Sequence, residues 1–403
     1  MQLHQRASQV VSSLPAKALL PCSAPGKPAR PITSVLESDN AQEYAQAEES
    51  FRMLLTADNL DVQLKSSKPL QEAAEVVQSA VAAAVSKCYS SGQPGDSMIG
   101  NRDHLFLQRL LYRINRLVLF WYDDLHNYSN ERSIFLAQLR DSIEAPWQQW
   151  EFNFVDVGAY KRLCPDEIKE ALRRQAAEDV DPPLSEGAAY MQNEMTREGY
   201  RHLLAVASVD GLVEASRQSR VCGGAANEVM CAIFRVLMEE YGVGRFNKKH
   251  STFFATMMRE LDLSTEPEFY FDLVPWQSLA SINHNFLLTE RRRHYLRYAA
   301  GLTFFEVNGP SVYRTYLAAA NRVGLSADAS GYWELHIKED ERHGRQMVED
   351  VALPLVDRYN ADAWELLLGY DQEKLMGQRA GDAVVAQIKA VDQGKRGATD
   401  PVV

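Results

Sequence analysis

The segment Tyr332-Trp-Glu-Leu-His-Ile-Lys-Glu-Asp-Glu-Arg-His-Gly-Arg places His336, Asp340 and His343 at i, i+4 and i+7. At 100° per residue these fall within an arc of about 60°, so two imidazoles and one carboxylate project from a single helix stripe. Taken alone, the segment reads more simply as a solvated helix laced with Glu/Lys/Arg pairs. Its neighbours argue otherwise: Trp333, Met347 and Val351 lie on the same stripe, whereas Lys338, Glu341, Arg342 and Arg345 lie elsewhere. The three polar residues are therefore expected to face the core, where carboxylates and imidazoles are costly unless paired or bound to a cation.

The same phase test finds further inward carboxylates. In Asn227–Tyr241, Glu240 shares its stripe with Val229, Ile233, Val236 and Leu237, while adjacent Glu239 falls beside Arg235 and Ala232. Glu240 is expected to point inward and Glu239 outward. Glu306 lies on the stripe of Tyr295, Ala299, Leu302, Tyr313 and Leu317. His250 stands ten residues after Glu240, beyond Gly242 and Gly244, which could kink or bulge the helix and return His250 toward Glu240. One buried Glu is more often a hydrogen-bonded structural residue, but several converging with histidines call for cations. Oxygen and imidazole donors without thiolate favour iron or manganese over structural zinc, and the donor count suits two metals better than one. Ferritin-type bundles use two Glu-x-x-His motifs; this chain has none, which disfavours a ferritin-like fold. His104, His126, His202, His284 and His294 lack an inward carboxylate at helical spacing and read as structural or surface residues.

The elements that must position these donors are helical. From Tyr190 onward, apolar residues recur at three and four across about Tyr190–Ser219, Ala226–Tyr241, His250–Leu261, Ser278–Leu288, Arg291–Val323, Ala327–Val356 and Ala361–Ala383. An all-α, bundle-like protein is expected. Residues 1–40, rich in Pro, Ser and Ala, read as a disordered leader, 41–155 as an N-terminal accessory helical region, 156–388 as the core and 389–403 as a flexible tail. Ser90–Gly100 separates two helices, and Asp179–Gly187, with Pro182 and Pro183, is a further break. The net charge of -11, with no basic stripe, excludes nucleic acid as a natural partner. No apolar run reaches membrane-spanning length. Five scattered cysteines form no CxxC pair, and the N-terminus shows no apolar segment of signal-peptide length, so a reducing cytoplasm is expected.

Glu240-Tyr-Gly-x-Gly followed by His250, then isolated Glu306, then His336-x-x-x-Asp340-x-x-His343 resembles the heme-oxygenase-like diiron oxidases, also described as iron-containing redox enzymes. The resemblance spans about Tyr190–Leu368. It implies a seven-helix heme-oxygenase-like bundle without heme, holding two iron ions that activate dioxygen as co-substrate. Carried over, it makes Glu240, His250, Glu306, His336, Asp340 and His343 metal ligands. The family's first core helix supplies one more carboxylate. Glu214, which shares a helical stripe with Leu203 and Ala207, is the choice, with Glu198 as its substitute if the opposite face is the inner one.

The family's reactions imply oxidation of a small, amino-acid-like metabolite by N-oxygenation or oxidative C–C cleavage, in secondary metabolism. An external electron donor is required, since no flavin or nicotinamide fingerprint occurs. The N-terminal region resembles accessory or dimerisation helices of some members, so a homodimer is an expectation. Two other classes stay open: a metal-free enzyme of the same fold, thiaminase-like or quinone-cofactor-synthase-like, using Glu and His for acid–base work, and a non-catalytic helical interaction protein whose stripes are buried polar networks.

Overall fold

Cap chemistry divides this apolar-periodic chain into discrete helices. Thr196 ends one helix region and starts the next: its Oγ1 accepts the Gly199 N–H at 3.2 Å. Such a cap stabilises a helix start by about 1 kcal/mol. The expected single helix Tyr190–Ser219 is therefore three pieces: Glu186–Asn193, Arg197–Gly211 and a short 3₁₀ turn, Ser216–Arg220. Likewise Ala327–Val356 is not one uniform helix. It runs as α-helix to Gln346, widens into a π turn at Met347–Ala352, and resumes at Leu353.

The computed structural model describes residues 42–89, 101–119, 125–223 and 227–394. The expected leader, the separator Ser90–Gly100 and the end of the tail lie outside the described residues. Among the described residues there are helices and turns but no strand. The α-helices are α1 Gln42–Thr56, α2 Leu60–Gln63, α3 Lys68–Tyr89, α4 Asn101–Asn115, α5 Ile134–Glu151, α6 Val157–Tyr160, α7 Pro165–Asp179 and α8 Glu186–Asn193. They continue as α9 Arg197–Gly211, α10 Glu228–Glu240, α11 His250–Glu260, α12 Trp276–Glu290, α13 Tyr295–Arg322, α14 Ala327–Gln346, α15 Leu353–Arg358 and α16 Trp364–Asp392. The last helix thus carries past the expected start of the tail at 389. None of these helices is long and apolar enough to cross a membrane.

Helix α13 packs more extensively than any other helix among the described residues, chiefly against α14 and α16. Helix α11 lies on α14, α10 on the π turn, and α9 and α12 on α16. One apolar cluster joins Tyr200, Leu204, Phe254, Met257 and Met258 to Tyr313, Tyr332 and Trp333, and covers the end of the bundle where the candidate ligands sit.

The helices α1, α3, α4 and α5 make their own core around Phe51, Leu54, Val77, Leu107, Ile143 and Trp147. That core is completed by Ala280 of α12 and Met376 of α16. Polar pairs cross the same junction: Arg379 donates to buried Glu151 at 2.9 Å, the part-exposed Arg291 to buried Glu144 at 2.6 Å, and Arg297 to Gln148 at 2.8 Å. Removing Arg379 would leave the Glu151 charge buried alone, at a cost of about 3–5 kcal/mol. The N-terminal helices are therefore packed onto the bundle by shared apolar and ionic contacts.

Candidate metal centre

Helix α10 starts at Asn227, whose side chain accepts the Met230 N–H at 3.1 Å, and ends at Glu240, which its apolar stripe turns inward. After Tyr241, at φ -87°, three successive residues take positive φ: Gly242 at 61°, Val243 at 51° and Gly244 at 77°. A Cβ at Gly242 would lie 2.5 Å from the Lys248 carbonyl carbon, so only glycine allows the chain to fold back so closely. This left-handed turn brings His250, the first residue of α11, to 3.0 Å from Glu240 (Nδ1 to Oε2).

Two further elements close the group. His336 Nε2 lies 3.1 Å from His250 Nδ1 and 3.2 Å from Glu214 Oε1. One ligand atom from each of Glu214, Glu240, His250 and His336 falls within 4.8 Å of the others. A second set, Glu240, Asp340 and His343, meets the same limit. Glu306 Oε2 joins it at 3.3 Å from His343 Nδ1, and Asp340 Oδ1 lies 3.7 Å from that nitrogen. Glu240 belongs to both sets.

The two helices carrying the second set approach with little between them. A Cβ on Gly344 would meet the Glu306 carbonyl oxygen at 2.9 Å, and one on Gly309 would meet Asp340 Oδ2 at 2.9 Å. Pro310 has no N–H to give that Glu306 carbonyl, the i−4 acceptor, so α13 is locally released where the Glu306 turn faces α14. The periodic reading passed over this feature, although a Gly-Pro pair inside an apolar helix was its visible signal. Tyr332 was missed too: its hydroxyl donates to Glu214 Oε1 at 2.6 Å, while its carbonyl lies 2.9 Å from His336 Nδ1.

Glu214 reaches the cluster for a different reason from the one expected. Helix α9 stops at Gly211, so the stripe shared with Leu203 and Ala207 does not extend to it. The turn after Gly211, ending in Ala215 at φ 57°, aims the side chain inward. Glu198 is not part of the cluster: its side chain is 58% exposed and accepts from Arg201 at 2.8 Å. Outward placement of Glu239 is corrected in part. The residue is half-buried, and its Oε2 lies 2.5 Å from His343 Nε2 and 2.5 Å from an Arg342 nitrogen. The 100° offset from Glu240 holds, but the His343 ring spans the gap and its far nitrogen meets the neighbouring carboxylate.

The other histidines stay apart. His104 stacks on Trp276 at 4.3 Å, His202 pairs with Gln387 at 3.0 Å, His284 lies 3.5 Å from Gln148, and His294 contacts Arg297 at 3.2 Å. Burial, with Arg379 or Arg297 nearby, pushes His104 and His294 down to about 4.

The electrostatics show a group in need of positive charge. Burial and the charge of Asp340 push the Glu306 carboxyl up to about 8, and burial also raises Asp340. Burial opposes charge on His336, but hydrogen bonding to Glu214 and the fields of Glu240 and Asp340 hold it up to about 10. His343 is likewise held at about 11, burial being outweighed by Asp340, Glu306 and Glu239. Glu214 Oε2, Glu306 Oε2, both Asp340 oxygens and His343 Nδ1 are buried and make no hydrogen bond. Unsatisfied buried acceptors of this kind are rare and call for an ion or water. A set of carboxylate and imidazole donors without thiolate fits iron or manganese.

Residues 201–372 match the family described as iron-containing redox enzymes. The nitrosourea synthase of Streptomyces achromogenes subsp. streptozoticus is 25% identical over 277 residues, which cover 66% of this chain and 58% of that protein. The chain thus spans less than two thirds of the length of that curated relative. The matched segment runs from within α9 to within α16 and contains the whole donor cluster. An all-helical bundle with carboxylate–imidazole donors at its centre is thus what the segment similar to the iron-containing redox enzymes, residues 201–372, forms in this chain.

Proposed function

We propose that the chain is a non-heme diiron oxygenase or oxidase that uses dioxygen to oxidise a small, amino-acid-like metabolite, by N-oxygenation or oxidative C–C cleavage. The observation that carries this reading is the pair of donor sets sharing Glu240. Four carboxylates, Glu214, Glu240, Glu306 and Asp340, bring a formal charge that two divalent cations would neutralise. Glu214, Glu240, His250 and His336 would hold one iron, and Glu240, Glu306, Asp340 and His343 the other. Bound iron supplies the redox chemistry toward dioxygen.

The chain's own residues set the orientation. His336 donates Nδ1–H to the Tyr332 carbonyl at 2.9 Å, which leaves Nε2 toward Glu214 and His250. Tyr332 also fixes Glu214 through its hydroxyl. The rings of Phe254, Tyr313 and Tyr332 wall off one side from water: Tyr313 and Tyr332 lie 5.1 and 4.4 Å from the His336 ring, and Phe254 lies 5.3 Å from Tyr332. Electrons would come from an external donor. The name of the relative, a synthase of a nitrosourea, supports the N-oxygenation branch.

The test is anaerobic loading with Fe(II), followed by oxygen-uptake measurements with a panel of amino acids and amines. About two Fe(II) per folded chain are expected, with uptake accelerated by some members of the panel. A folded chain that takes up no stoichiometric iron would overturn the proposal.

A further inference from the structure

We infer that Glu239 is a positioning residue for the second metal: it accepts the Nε2–H of His343 and so commits Nδ1 of that ring to the metal. The inference rests on the metal reading of the site. His343 lies between two carboxylate environments, with Nδ1 toward Glu306 at 3.3 Å and Asp340 at 3.7 Å, and Nε2 toward Glu239 at 2.5 Å. Glu239 Oε2 already takes an Arg342 N–H at 2.5 Å and is therefore an acceptor, so its 2.5 Å contact with the ring places the proton on Nε2. The nitrogen left to lose its proton to a metal is Nδ1, which faces the shared donor set and makes no hydrogen bond. Histidine ligands are commonly oriented in this way by a carboxylate on the other ring nitrogen.

Glu239 is itself held in place. The Arg342 guanidinium lies 2.5 Å from Glu239 Oε2 and 2.5 Å from Glu339 Oε2. Arg342 thereby fixes the Glu239 carboxylate beside the His343 ring. Glu239, Glu339 and His343 also lie close enough to form a third donor group. Arg342 donates to both of its carboxylates, however, so a fixed cation already neutralises them there. That leaves Glu239 outside the metal set and in contact with one ligand only.

The variants Glu239→Ala and Glu239→Gln test this, with Fe(II) binding measured by anaerobic equilibrium dialysis and folding checked by melting temperature. The side chain is partly exposed, so both variants are expected to fold. Loss of an outer hydrogen-bond partner lowers metal affinity by about 10–100-fold. Glu239→Ala should therefore weaken the second Fe(II) by about that factor and leave the first at parental affinity. Glu239→Gln, whose amide oxygen still accepts Nε2–H, should stay within a few-fold of the parent. Cobalt(II) in place of iron gives an independent readout: the d–d band of the second ion should shift in Glu239→Ala and not in Glu239→Gln. Parental affinity for both ions in Glu239→Ala would overturn the inference, reducing Glu239 to a surface partner of Arg342. Equal loss of one ion in both variants would overturn it differently, making Glu239 a ligand. Failure of the parent to bind any metal would instead remove the metal reading itself.

Discussion

Replacing Gly344 by alanine would place a methyl carbon 2.9 Å from the Glu306 carbonyl oxygen, 3.1 Å from Val307 Cα and 3.3 Å from Glu306 C. Unstrained carbon contacts lie at roughly 3.5–4.0 Å, so relief needs a displacement of about 0.5 Å. All three atoms are backbone of α13, and no side-chain rotation can move them. The strain should be taken up where Pro310 leaves α13 short of a hydrogen bond, which is the turn carrying Glu306. Overpacking costs about 1–3 kcal/mol, and alanine returns about 1 kcal/mol of helix propensity, leaving a net loss of roughly 0–2 kcal/mol. At roughly 2–4 °C per kcal/mol for a domain of 150–250 residues, the metal-free protein should melt no more than about 8 °C lower. Metal–donor distances tolerate only about 0.2 Å, so the same displacement is far more serious for a metal held between Glu306, Asp340 and His343. Anaerobic Fe(II) dialysis with parallel thermal melts should show the second ion weakened at least about tenfold and the first, held by Glu214, Glu240, His250 and His336, unchanged. A lower melting temperature with both ions at parental affinity would refute the argument that this backbone contact sets ligand spacing. Equal weakening of both ions would refute the division into two sets.

Glu240→Ala should drop iron binding below one equivalent, whereas His336→Ala and His343→Ala should each leave about one, because only Glu240 is shared; bound iron by elemental analysis checks this. His343→Ala should lose about one equivalent of iron while its metal-free form still melts cooperatively, lowered by the loss of the His343 contacts to Glu239, Glu306 and Asp340, and unchanged iron content would identify His343 as a structural rather than a metal-binding residue. The raised His336, His343 and Glu306 values favour the protonated forms in the metal-free site, so loading should release protons and tighten as pH rises, read by calorimetry in buffers of different ionisation enthalpy. In the metal-free protein the raised His336 and His343 values contribute stability present below about pH 6.5 and lost through about pH 10–11, while the raised Glu306 value costs stability that grows from about pH 4.5 to 8. His104 and His294, held down to about 4, contribute the opposite sign between about pH 4 and 6.5, so the test lies above that range: metal-free melts that improve between about pH 7 and 9 would contradict the sign. Val243→Gly removes a β-branched residue from positive φ and should stabilise the protein by about 1 kcal/mol with iron binding unchanged, measured by denaturant melts.

Much of the candidate site was legible because helical period alone decides which side chains share a face. His336, Asp340 and His343 fall on one stripe with Trp333, and all are buried. Glu306 and Glu240 followed from the same arithmetic, and the two glycines after Glu240 announced the turn that returns His250. Period fails where the chain is not helical. Glu214 lies beyond the end of α9, so its inward direction comes from a turn with a left-handed alanine that no stripe describes. It also fails where a side chain is long enough to cross between faces. Glu239 is rotated away from Glu240, yet the His343 imidazole reaches it from α14. The junction between the N-terminal helices and the bundle was illegible for a third reason. Period shows that Trp147 and Met376 face some core, but not that they face the same one.

That junction bears on how the chain is made. Helices α1 to α5 leave the ribosome before the bundle does, with most of their core in hand, but Ala280 and Met376 are encoded much later. At roughly 5–20 residues per second, the stretch between Glu151 and Met376 takes about 11–45 s to synthesise. During that interval the nascent layer presents an uncovered apolar face around Trp147, and Glu144 and Glu151 wait for Arg291 and Arg379. The folded protein shows no trace of this delay. A growing chain would expose a sticky, charge-frustrated surface for most of its translation, which makes the yield of native protein sensitive to elongation speed and to chaperones acting on the emerging N-terminal half.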